Sequence, residues 1–91
     1  DKQNVQIENA QMQYEVASSN LLNAKSQLTL AETIYSKTLI QQKEGVASLT
    51  DVLLSDNTQK EAQQNYLSAL VDVMKADLEL KKVSGNILKT K

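Results

Sequence analysis

Ninety-one residues, with ten lysines, eleven acids and a net charge of −1, leave room for one small domain or a piece of a larger one. There is no arginine and no basic stripe interleaved with aromatics, which argues against a nucleic-acid partner. The chain has no cysteine and no histidine, so disulfides, thiol chemistry and ordinary zinc, copper or haem ligation are excluded and no cofactor is expected.

From Gln3 to Lys43 there is neither Gly nor Pro, and the apolar residues recur with a fixed period. Ile7, Tyr14, Leu21, Leu28 and Tyr35 are spaced by seven, and Ala10, Ala17, Ala24, Ala31 and Thr38 follow each of them by three. With the large series taken as heptad position a and the small series as d, the pattern predicts a helix over about 2–44 that packs along its whole length against a neighbour. At about 1.5 Å per residue such a helix runs to roughly 60 Å. The other apolar residues are mostly Leu, Val and Ala, the only aromatics are three tyrosines, and Gln and Asn are abundant. That mixture suits long helices better than a globule.

The stretch QQKEGVASLTDVLL, Gln41 to Leu54, interrupts the pattern. Gly45 can take a positive φ without a Cβ clash and is the natural residue to end the first helix, with Lys43 favourably placed in the last turn. Ser48 is a natural N-cap, and Asp51 three residues later completes a capping-box pattern and puts an acid in the first turn of a second helix. About four residues then connect the two helices, and a connection that short makes them antiparallel.

The second helix is expected over about 48–84. Val52, Gln59, Tyr66, Val73, Leu80 and Ile87 form its a series, and Ser55, Ala62, Ala69, Ala76 and Val83 its d series. Tyr14, Leu21, Leu28, Tyr35, Ala24, Ala31, Tyr66, Val73, Leu80, Ala62, Ala69 and Ala76 are therefore the candidate seam, with large side chains of one helix over alanines of the other. Segments AQMQYEVA (Ala10 to Ala17) and AQQNYLSA (Ala62 to Ala69) share a frame, although the common heptad is the sturdier similarity. Ser55 to Thr58 (SDNT) carries cap-like residues, but the heptad phase continues across it and favours an unbroken helix. Gly85, after Lys81 and Lys82, is expected to end this helix, leaving Asn86 to Lys91 as a frayed or differently folded tail. Lys75, Lys81, Lys82, Lys89 and Lys91 make this end mildly basic, as solvated helix ends are. The fold class is all-α, a long antiparallel two-helix coiled-coil hairpin.

Both helices carry more apolar side chains than one seam needs. Met12, Val16, Leu22, Leu30, Ile34, Leu39 and Ile40 lie off the stripe on the first, and Leu53, Leu67, Leu70, Val71, Met74 and Leu78 on the second. They imply further helical neighbours: a bundle, self-association or a larger barrel. Uninterrupted apolar runs reach only three or four residues, too few for a transmembrane helix. The chain begins at Asp1 within an already polar helical pattern, as expected of an internal segment of a larger protein.

No catalytic constellation is visible, and an enzyme is not expected. Asp51 and Asp56 fall on different helix faces, and Asp72 and Glu79 share a face that reads as solvated. The two glycines lie too far apart for a phosphate-binding loop, and nucleophile–base pairs need residues this chain lacks.

The quoted turn, with Gly45, Ser48 and Asp51-Val52-Leu53, then AQQNYLSALVDVMKADLELKKVSG from Ala62 to Gly85, resembles the outer membrane efflux protein family, the TolC-like channels. The alanine heptads of the first helix resemble it too, so the similarity covers nearly the whole chain through a degenerate set of motifs. The resemblance implies a fragment of the second hairpin of a periplasmic α-barrel, in a homotrimer anchored in the cell outer membrane and serving multidrug efflux or type I secretion. It implies that Glu44, Gly45, Val46, Ala47 and Ser48 form the tip that meets a periplasmic adaptor, itself linked to an inner-membrane pump. Gln42 and Asp51 would line the entrance, where an acidic ring favours cations. The family's latch pairs a Tyr before the turn with an Arg after it. Here Gln42 and Ala47 hold those places and Leu54 that of a second acid, so the resemblance implies a weaker or differently built gate. Two other readings are a hairpin from a periplasmic adaptor (membrane fusion) protein, whose flanking lipoyl halves are not visible at either end, and a generic helical scaffold.

Overall fold

The computed structural model describes residues 2–89, with side chains over 4–85. It is an all-α hairpin of two helices, α1 (Lys2–Lys43) and α2 (Leu49–Lys89), and the described residues form no strand. Two compact units make it up: a stem of Asp1–Leu22 with Ser68–Lys91, and a tip of Asn23–Leu67 that contains the turn.

In the stem, Ile7, Ala10, Tyr14, Ala17 and Leu21 of α1 and Ala69, Val73, Ala76, Leu80 and Val83 of α2 are buried or half-buried, while most of their neighbours are exposed. Ala10, at 3% exposure, is the most enclosed of them. Ala17 shares the floor of a shallow groove with Ala76, and Ala10 shares the next with Val83. A step of seven forward on α1 thus matches a step of seven back on α2, which is the signature of an antiparallel pair in heptad register. The a residue Ile87 lies outside the described side chains.

The tip repeats this arrangement. Ala24, Leu28, Ala31, Tyr35 and Thr38 on α1, and Val52, Ser55, Gln59, Ala62 and Tyr66 on α2, are buried or half-buried there. Ala31 and Ala62 lie in one groove, walled by Leu30 and Ile34 on one side and by Thr58, Glu61 and Asn65 on the other. At one level in each unit, then, an alanine of α1 shares a groove with an alanine of α2, and at the third level Ala10 shares one with Val83. The large a residues line none of these grooves. Two methyl groups facing each other let the backbones approach along the d edge of the seam.

The SDNT segment stays helical, as the heptad phase requires. The Ser55 hydroxyl, buried in the seam, donates to the Val52 carbonyl at 2.9 Å, and the Thr58 hydroxyl donates to the Leu54 carbonyl at 3.0 Å. Their donors are satisfied within the helix, so they do not cap a new one. Asp56 pairs with Lys60 one turn on at 3.1 Å, in the favourable acid-before-base order, a contact worth about 0.3–0.5 kcal/mol.

Gly85 does not end α2. The helix runs on to Lys89, so the backbone of 86–89 is helical rather than a frayed or differently folded tail. A glycine inside a helix costs only about 1 kcal/mol against alanine. Asn-Ile-Leu-Lys follows, and none of these residues breaks a helix, so hydrogen bonding continues through it. Thr90 and Lys91 lie outside the described residues.

Candidate functional site

The turn between the helices is built from local hydrogen bonds, all made between Ile40 and Asp51. α1 keeps its regular bonding as far as the Glu44 N–H, which donates to the Ile40 carbonyl at 3.1 Å. Gly45 then takes φ +80°, the only positive φ among the described residues. Its N–H donates to the Gln42 carbonyl at 3.0 Å, and the Val46 N–H reaches back to the Gln41 carbonyl at 2.8 Å. This pair of bonds is a Schellman motif, and it satisfies carbonyls that the helix end leaves without partners. The Ala47 N–H adds a second bond to the Gln41 carbonyl at 3.2 Å.

α2 starts with an equally complete cap. The Ser48 hydroxyl accepts from the Asp51 N–H at 3.2 Å, and the Asp51 carboxylate accepts from the Ser48 N–H at 3.0 Å. This reciprocal exchange is the capping box that Ser-x-x-Asp predicts. Asp51 therefore uses one oxygen structurally while its side chain remains exposed, and its charge also suits the positive end of α2. Ser48→Ala should cost about 1 kcal/mol of stability, read as a lower urea midpoint, whereas Ser48→Asn should keep most of it.

What these caps present is a small surface of mixed character. Glu44, Gly45, Val46 and Ser48 are exposed, and Gln42 and Ala47 are half-buried. Val46 is 74% exposed, the highest value among the described large apolar residues. Ile40, Leu49, Leu53 and Leu54 are also exposed around it. Leu49 is not among the residues the sequence points to, and Leu54 enters there only as the place of a second acid, although their places one residue after the Ser48 cap and two beyond the a residue Val52 already put both off the seam. Glu44 sits next to the carbonyl end of α1, where an acid is slightly unfavourable, so its place there is not explained by helix stability.

Most of the off-seam residues expected to need neighbours are exposed: Met12, Val16, Leu22, Leu30, Ile34 and Ile40 on α1, and Leu53, Leu67, Val71, Met74 and Leu78 on α2. Val5 joins them, while Leu39 and Leu70 are half-buried. No helix among the described residues is long and apolar enough to cross a membrane. No protein-family model, curated protein or solved structure matches this chain at a significant level.

Proposed function

We propose that this chain is a hairpin of the periplasmic tunnel of a TolC-like outer membrane channel, serving tripartite efflux or type I secretion in a two-membrane bacterium. Its turn lies at the tunnel entrance and docks a periplasmic adaptor that is linked to an inner-membrane pump, and the full-length protein is a homotrimer. The observation that carries this reading is the outward apolar surface on both helices of a hairpin that already turns one apolar stripe of each helix inward. An inward stripe together with apolar outer faces suits a hairpin set among other helices, as in a barrel wall. The resemblance at Gly45, Ser48 and Asp51-Val52-Leu53 supplies the class.

In this reading the adaptor meets Val46, Ala47 and Ser48, with Leu49 and Leu54 giving the contact its apolar part and Glu44 its charge. Gln42 and Asp51 belong to the entrance, and Leu54 in place of an acid leaves the ring with less negative charge. A photoreactive residue at Ala47 of the full-length protein tests the assignment. Cross-linking to a periplasmic adaptor, with the full-length protein in the outer membrane, is the expected result. Fractionation with the inner membrane and cross-linking to a channel would support the adaptor reading instead, and neither product would leave a helical scaffold.

Asp51→Asn separates the two roles of that residue. The amide oxygen can still accept the Ser48 N–H, so helix content and stability should change little. The entrance loses its remaining acid, so conductance of the reconstituted trimer should lose cation preference. Unchanged ion selectivity with an intact fold would remove Asp51 from the entrance.

A further inference from the structure

In the stem, heptad positions b, c and f lie on the sides of each helix turned away from the seam. On α1 these positions hold Val5, Glu8, Asn9, Met12, Glu15, Val16, Ser19 and Leu22. On α2 they hold Ser68, Val71, Met74, Lys75, Leu78, Lys81, Lys82 and Gly85. All are exposed except the half-buried Gly85. Among the described side chains, the outer edge of α1 thus has two glutamates and no lysine, and that of α2 has three lysines and no acid. Each edge also has an apolar centre, Val5 and Met12 on one and Val71 and Leu78 on the other. The glutamates are seven residues apart, as are Lys75 and Lys82, so both charged rows follow one helical line with the same repeat. The ion pairs among the described residues are Asp56–Lys60 and Asp77–Lys81, and Glu8, Glu15, Lys75 and Lys82 belong to neither.

We propose that this chain binds a second copy of itself edge to edge, the acidic apolar edge of the α1 stem lying against the basic apolar edge of the α2 stem. Like edges repel, since each would set a row of one sign against the same sign. Unlike edges bury their apolar centres together and bring opposite charges alongside. The contact is heterologous: each copy keeps one edge free, so association continues past the dimer unless a ring closes. This inference does not rest on the channel reading, since it concerns the chain alone, and the adaptor cross-link could fail while it held.

The test is sedimentation velocity of the 91-residue chain over a concentration series at low and high salt. The parent chain should form species beyond the dimer, and salt should weaken them. E8K/E15K makes both edges basic and K75E/K82E makes both acidic. Each variant should stay helical by circular dichroism, because the positions are exposed, and should associate about tenfold or more weakly than the parent. An equimolar mixture of the two variants should recover association, since unlike edges are again available. A parent that stays monomeric, a parent that stops at a discrete dimer, variants that associate as the parent does, or a mixture that fails to recover would each overturn the proposal.

Discussion

Aspartate in place of Ala31 should destabilise the hairpin by about 3 kcal/mol, while aspartate in place of the adjacent Leu30 should change stability little. Ala31 is 5% exposed and lies in the seam opposite Ala62, whereas Leu30 is 60% exposed on the groove wall. A carboxylate at Ala31 leaves water with no partner beside it, and its side chain is too short to reach solvent around the partner helix. Asp lowers helix propensity at both positions by a similar amount, so that contribution cancels in the comparison. Urea unfolding of both variants at one dilute protein concentration measures the difference. Equal losses at the two positions would mean that Ala31 is not in the seam.

The two glycines should respond with opposite signs. Gly45→Val forces a β-branched residue into a left-handed conformation at φ +80°, at a cost of about 1–2 kcal/mol. A Cβ at Gly45 would meet nothing within 4 Å, so this cost is one of backbone conformation and not of crowding. Gly85 lies inside α2 at ordinary helical φ, and a Cβ there also meets nothing within 4 Å. Gly85→Ala should therefore stabilise the chain by about 0.5–1 kcal/mol, since alanine has less conformational entropy to lose. Thermal or urea unfolding of the two variants reads both signs directly. A destabilising Gly85→Ala would place that residue at a helix end after all.

The turn was the most legible part of the chain. Gly45, Ser48 and Asp51 each act within a few residues, through a positive φ and through hydrogen bonds to near neighbours, so residue types at fixed offsets suffice to specify them. The same locality misled at Gly85. A glycine permits a helix to stop but does not oblige it to, and without a cap or a chain reversal after it the backbone bonds of α2 simply continue. The surface around the turn was less legible. Val46 could be seen at the tip, but the grouping of Leu49, Leu53 and Leu54 near it depends on which side of α2 the seam occupies.

The residues alone dictate two long helices, one reversal at Gly45 and the heptad stripe that each helix buries, because propensity, capping and periodicity are properties of neighbours along the chain. How the stripes meet is settled only by packing. Ala17 lies with Ala76 and Ala31 with Ala62 because the register of one helix on another depends on side chains far apart in sequence. Several registers bury the same stripe, and close backbone approach selects among them.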